Sequence, residues 1–358
     1  MKLPYLIFAV YKVVMQCVNL FQVLSHVIDV DTKYVLIQNP PCLPLLAIVV
    51  LIKQLFHPNV KLVIDWHNLN YTVFNMKFQN LNHPAVKFMK WYEKTLSRKF
   101  AFLNLTVTEK MRLFLIEEFG LDAKRVVTLY DRPSEVFVPL KSQDELKQIV
   151  SENKEVFEGK YDQKTDRILV SATSFTEDED FSILVDALAK LDKKLSSEST
   201  TSAKGTIWTV VTGKGPLHDH FLQLVNSHKW NRVIIKSVWL PFDQYCKILR
   251  IADLGVSLHY STSSLDLPMK IVDLFGAGTP VISLGFDSIG ELVKQGENGL
   301  ILKDNKNAQE MADKIYDVLF DDRAKYLKIK QGALKESETR WDDEWDKKLW
   351  PEFALKDQ

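Results

Sequence analysis

Apolar, β-rich runs alternate with helix-patterned stretches along most of the chain, and this alternation constrains its fold more than any other feature. Strands are predicted at 34–38, 60–65, 102–107 and 125–130, with helical patterns between them at 43–56, 84–99 and 109–119. A polar, charged stretch from Arg132 to Asp166 follows, with an acidic and basic helix pattern near 143–158. The strand rhythm then resumes near 168–171, 207–212, 233–236, 254–258 and 280–283. Strand–helix alternation of this kind builds parallel sheets covered by helices, so the class is α/β. At ~150 residues per domain, a chain of 358 residues is expected to form two domains. The rhythm places them at 1–140 and 167–335, with a linker at 141–166 and a C-terminal helix, 336–358, packing back on the body. In that tail Trp341, Trp345 and Leu349 share one helical face and need a surface to bury it. The Ser/Thr-rich stretch 196–203 reads as a surface loop.

Lys plus Arg and Asp plus Glu each number 46, so no overall charge draws the molecule to nucleic acid or to anionic lipid. Any basic site is local. Cys17, Cys42 and Cys246 are odd in number and form no Cys-x-x-Cys pair, which fits a reducing compartment and a cytosolic fold. Two glycosylation sequons occur, at Asn70 and Asn104; the second lies in a predicted buried strand and reads as a chance match. The stretch 3–27 is strongly apolar, but Lys12, Gln16, Asn19 and Gln22 recur at helical spacing. They interrupt the ~20 apolar residues that a span needs. An amphipathic helix is predicted, either packed on a sheet or lying in a membrane interface.

Three local patterns carry chemistry. In 259–281, HYSTSSLDLPMKIVDLFGAGTPV, a polar loop after a strand runs into a helix with Pro268 in its first turn, and Gly278 ends it. Free N–H groups at that helix start, with Lys270 beside them, form a phosphate cradle. In 211–216, VTGKGP, Gly213 and Gly215 allow the backbone to approach a pyrophosphate and Lys214 adds charge; an ordinary surface turn is the competing reading. Asp65 and His67 stand in an Asp-Trp-His-Asn loop after a strand, where α/β sheets place ligands. The acidic run 177–180 opens a helix, a position that the macrodipole favours with or without catalysis.

The stretch 259–281 resembles the nucleotide-sugar signature of GT-B glycosyltransferases, and 265–273, LDLPMKIVD, is similar to one subgroup, the chitobiosyldiphosphodolichol β-mannosyltransferases. So are QNPP at 38–41, IDWHN at 64–68, TLYDRP at 128–133 and SFTEDEDF at 174–181. The resemblance runs in order from about Leu3 to Leu302. It implies a GT-B fold of two Rossmann-like domains facing a cleft. The implied activity is inverting transfer of mannose from GDP-mannose, in β-1,4 linkage, to GlcNAc2-PP-dolichol. The implied location is the cytosolic face of the endoplasmic reticulum membrane, and other dolichol-pathway mannosyltransferases are implied partners in a complex. No tightly bound cofactor is implied, and no Asp-x-Asp at a strand end indicates a divalent cation.

Residue by residue, the resemblance gives Asp273 the donor ribose and sets Gly213, Lys214, Gly215, Asp266, Lys270 and Glu291 around the donor. Inverting transfer needs a base for the acceptor hydroxyl, and the candidates are Asp65, His67, Glu177, Glu179 and Asp180. Many retaining GT-B enzymes carry a basic pair where this chain has Ser174 and Glu179, which argues against retention. The competing readings are a non-catalytic scaffold, another dolichol-pathway mannosyltransferase and a sugar-nucleotide epimerase. The first strand, glycine-rich loop and membrane anchor of the subgroup have no counterpart in this sequence. The amino-terminal domain is therefore expected to be incomplete, and the chain to bind donor but transfer little mannose.

Overall fold

The structure is a computed structural model, and it describes residues 5–197 and 205–354. The predicted loop at 196–203 therefore lies, from residue 198 on, outside the described residues. Two compact units divide the chain, Met1–Tyr130 and Asp131–Gln358.

In the first unit, β1 (Tyr34–Asn39), β2 (Lys61–Trp66), β3 (Ala101–Thr106) and β4 (Val126–Thr128) form a parallel sheet in that order. Parallel strands deliver the loops that follow them to one edge, so residues after Asn39, Trp66 and Thr106 gather there. The helix Tyr5–Val27 covers Leu45–Leu55, and no described helix is long and apolar enough to cross a membrane. The helix Pro84–Phe100 begins where expected, with Pro84 at its first position and the His83 side chain accepting from the Ala85 N–H. The helix Asn70–Phe78 was not predicted, because it has neither an apolar stripe nor a side-chain cap of its own. At the centre of the core, Trp66 meets Phe119 edge-on at 5.9 Å and donates its indole N–H to Asn104 at 2.9 Å. Asn104 is buried in β3, so its sequon is closed to modification.

The second unit is a six-stranded parallel sheet built from β5 (Arg167–Thr173), β6 (Ile207–Gly213), β7 (Val233–Val238), β8 (Leu254–Ser257), β9 (Val281–Ser283) and β10 (Gly299–Ile301). Its order is β10-β9-β8-β5-β6-β7, so the chain leaves β5 in one direction through β6 and β7 and returns to pair β8 on the other side. Such a reversal opens a crevice beyond the strand ends, between β5 and β8. The interior strands β5 and β6 are almost wholly buried, as a sheet covered on two faces requires. Helices Ser182–Ser197, His218–Asn226 and Ala308–Tyr316 pack into one core cluster, and helices Gln143–Glu152, Phe242–Ile251 and Met269–Gly276 into another.

The stretch 141–166, expected as a linker, carries helices Gln143–Glu152 and Lys154–Phe157, whose Leu146, Ile149, Val156 and Phe157 are buried with Trp208. Residues 133–137 lie against the helix Met269–Gly276: a Cβ on Gly276 would stand 2.5 Å from Pro133 and 2.8 Å from Phe137. Arg132 pairs with Glu336 at 3.7 Å and Glu344 at 2.6 Å. Arg340 donates to the carbonyls of Ser134 and Phe137, each at 3.1 Å. Leu349 is buried as its helical face requires, whereas a π-helical stretch, Trp345–Leu349, breaks the regular spacing and leaves Trp341 exposed.

Candidate functional site

At the reversal in the second unit, the loop after β5 is stitched to the loop after β8. Glu179 and His259 form an antiparallel backbone bridge, and Tyr260 N–H donates to the Asp178 carbonyl at 3.1 Å. Glu179 is buried; one carboxylate oxygen accepts from the Thr173 hydroxyl at 2.6 Å and the Ser174 N–H at 3.0 Å, and the other pairs with Lys270. Two residues expected in separate roles, base and phosphate ligand, are thus partners. A donor phosphate reaching Lys270 shares that ammonium with Glu179.

The His259 ring lies between two carboxylates, with Asp178 at 3.3 Å from Nδ1 and Asp266 at 3.3 Å from Nε2. Burial opposes its charge, but the two hydrogen bonds outweigh burial and raise its pKa to about 9. Asp178 is held far below the usual carboxylate range, first by the same hydrogen bond from His259. Asp266 also accepts from the hydroxyls of Ser261 and Ser263. Its side chain fixes the loop 259–266, and Ser288 donates to its carbonyl at 2.8 Å.

The other donor candidates sit as follows. Gly213, at φ +155°, and Gly215 bring the turn after β6 against the β5 loop, where Cβ atoms would come within 1.8 Å of the Thr173 carbonyl and 1.7 Å of the Ser174 carbonyl. Lys214 is exposed, with its ammonium 4.3 Å from the Trp239 ring centroid. Asp273, one turn beyond Lys270, faces the helix Phe242–Ile251 and accepts from the Tyr245 hydroxyl at 3.1 Å; burial raises its pKa to about 6. Glu291 is half-buried in a short 3₁₀ turn, Ile289–Glu291. Asp180 accepts from the N–H and hydroxyl of Ser182, the first residue of its helix, at 2.9 and 2.6 Å, a local Asx-turn at the helix start. Glu177 is exposed beside it.

In the first unit, Asp65 and His67 do come together, with Nε2 of the ring 2.9 Å from the carboxylate and both side chains half-buried. The Asn39 carbonyl accepts from the N–H groups of His67 at 2.9 Å and Asn68 at 3.3 Å, holding this loop to the end of β1. Beneath it is Glu93, fully buried, which accepts from the Asn39 amide at 3.0 Å and from the first N–H groups of the helix Asn70–Phe78 at 2.7 and 3.0 Å. Burial raises its pKa to about 7 against those hydrogen bonds.

Glu93 and His259 were not singled out from sequence. His259 follows a strand end as His67 does, a signal that was there to use; Glu93 sits inside an amphipathic helix and gives none. Among the described residues no three His, Cys, Asp or Glu side chains are grouped to hold a metal ion.

Residues 152–336 match the family described as Glycosyl transferases group 1. The chain is 47% identical to the chitobiosyldiphosphodolichol beta-mannosyltransferase of Debaryomyces hansenii, over 98% of this chain and 74% of that protein. The Candida albicans protein of the same name is also 47% identical, over 96% and 72%, and that of Mus musculus is 36% identical, over 96% and 74%. Among solved structures, Anabaena HepE in complex with UDP aligns with a TM-score of 0.67 at 17% identity, over 96% of this chain and 82% of that one. A sucrose-phosphate synthase from Thermosynechococcus elongatus aligns at 0.62 and 15%, over 84% and 69%. At these identities the structures speak for fold alone, and the fold they share is GT-B.

Proposed function

The chain belongs to the chitobiosyldiphosphodolichol beta-mannosyltransferase family, and on that premise we propose that it transfers mannose from GDP-mannose to dolichol-linked chitobiose with inversion. The observation that carries the reading is 47% identity across 98% of the chain to a protein of that name. The crevice between β5 and β8 supports a place for the donor. The start of the helix Met269–Gly276 with Lys270, and Lys214 on the next loop, are the groups that meet the diphosphate. His259, charged and held by two carboxylates, keeps the crevice loops in register and acts as a positioning residue.

For the acceptor, the Asp65–His67 pair supplies the base. A carboxylate orients the imidazole, and together they take the hydroxyl proton while the anomeric carbon–oxygen bond to GDP breaks. Leaving-group charge is met by the lysines and the helix start. A lipid-linked acceptor supports a location at the endoplasmic reticulum membrane. The cytosolic face agrees with three free cysteines, among which Cys42 and Cys246 are buried.

The test is mannosyl transfer by the whole chain to lipid-linked chitobiose, with nucleotide binding followed by calorimetry. GDP should bind more tightly than UDP, and the added mannose should be released by a β-mannosidase. Asp65→Asn should lower turnover ~100-fold or more with GDP affinity unchanged. Equal binding of UDP removes the donor assignment, and normal turnover of the variant removes the base.

A further inference from the structure

The second unit holds a cavity of about 360 Å³ at the edge of its sheet away from the crevice. Arg167, the first residue of β5, and Asp253, just ahead of β8, line it, so it opens where those strands begin rather than where they end. The seven residues of β5 set the two edges roughly 20 Å apart. One wall is the end of the helix Phe242–Ile251, and another is the helix Arg323–Glu336, which supplies Arg323, Tyr326 and Lys330.

Five cations line the cavity, Lys164, Arg167, Arg250, Arg323 and Lys330, with two carboxylates, Asp166 and Asp253. Both carboxylates are engaged by neutral donors. Asp166 accepts from the Thr206 N–H at 2.7 Å, the Asp162 N–H at 2.9 Å and the Trp208 indole N–H at 3.0 Å. Asp253 accepts from the Ile168 N–H at 2.8 Å and the Tyr326 hydroxyl at 3.3 Å. Arg167 donates to the carbonyls of Asp166 at 2.8 Å and Leu319 at 3.2 Å, which fix its guanidinium without balancing its charge. Arg250 pairs with Glu145 at 2.5 Å. Lys330 is half-buried and makes no hydrogen bond or salt bridge among the described residues. Burial lowers its pKa, and the Asp253 charge, beyond contact, offsets only part of that. With Glu145 counted, five cations face three carboxylates.

We propose that this cavity binds a small phosphate-bearing anion, held by Lys330, Arg167 and Arg323, with Arg250 adding to the field. The surplus charge is positive, so an anion rather than a metal ion suits it, and guanidinium groups match phosphate oxygens with paired N–H donors. A half-buried ammonium without a bonded acceptor is the group that gains most when one arrives. The volume is near the lower end for small-molecule pockets, which admits a phosphate ion or a compact ester and excludes a macromolecule. The site lies at the opposite edge of the sheet from Lys214 and the start of the helix Met269–Gly276, and it does not rest on the mannosyl transfer proposed above.

The experiment is calorimetry and thermal melting of the whole chain with sodium phosphate or glycerol phosphate, against sodium chloride at equal ionic strength. Phosphate or its ester should bind and raise the melting temperature where chloride does not. Lys330→Met and Arg323→Gln should each weaken that binding about tenfold or more, the loss of one charge-assisted bond. Arg323 is exposed, so its variant carries the test if the Lys330 variant does not fold. Lys214→Gln, in the donor crevice, should leave phosphate binding as it is. Both ligands supporting the site, tighter binding of the inorganic ion assigns it to free phosphate, and tighter binding of glycerol phosphate assigns it to an ester. The proposal is overturned if neither binds beyond chloride, or if both cavity variants bind as the parent does. It is also overturned if Lys214→Gln abolishes the binding, because the anion then sits in the donor crevice.

Discussion

Each unit buries a glutamate beneath the loops at the end of its sheet, and the two are stabilised in opposite ways. Glu93 accepts from an amide and two helix-start N–H groups. Glu179 accepts from a hydroxyl and one N–H and also has Lys270. Neutral donors only partly offset the loss of water around a carboxylate, and the Glu93 pKa accordingly rises to about 7. The other glutamate has an ammonium in contact as well. The loop of the candidate Asp65–His67 pair thus rests on a group that gains or loses a proton near neutrality, whereas the loops of the candidate donor crevice rest on an ion pair.

The largest expected effect is that of Lys270→Ala, which strips the cation from a carboxylate whose side chain is 2% exposed. Breaking a buried pair typically costs ~3–5 kcal/mol. Lys270 itself is 30% exposed, so solvent screening moves the expectation to about 3 kcal/mol. Denaturant unfolding of the variant measures it. Lys270→Met with Glu179→Gln should recover most of the loss, and a double variant as unstable as the single would dissolve the contrast between the two glutamates.

Glu93→Gln should cost about 1–3 kcal/mol, because the new amide N–H faces a backbone donor. The pH profile sharpens the comparison further. A folded pKa raised to about 7 means that the native state holds the proton more tightly than the unfolded chain. The contribution of Glu93 is therefore full below the ordinary glutamate range and is lost as pH rises through 7. Unfolding free energy followed between pH 4.5 and 8 should fall less steeply in the variant. An identical slope would show that another group sets the profile.

The smallest effect is expected from Asp180→Ala, about 1 kcal/mol for the loss of a helix-start acceptor, with turnover unchanged. A melting curve and a transfer assay check both halves. A large loss of turnover would restore Asp180 to the chemistry and weaken the division between structural and reacting carboxylates.

These assignments differ in how far sequence could reach them. Strands β1 to β9 were legible because their apolar runs are local, whereas β10 was not read from the sequence. The helix-start position of Asp180 was visible in an acid just ahead of an apolar helix. The partnership of Glu179 with Lys270 spans 91 positions, and that of Glu93 with Asn39 spans 54. Only the sheet topology brings those residues together. On its own helix Glu93 resembles any solvated glutamate, with Lys90 one turn before it and Lys94 next in sequence. The Asp65–His67 contact was within reach because both residues lie in one short loop.

The ties from Arg132 and Arg340 make the beginning and the end of the second unit a single joint. In genetic terms the two ends behave as one locus, since a charge lost at Arg132 takes one partner from Glu336 and one from Glu344, 212 positions downstream, and leaves Glu344 with Lys348 alone. A second change between Glu336 and Glu344 is then the natural suppressor of a first change at the far end.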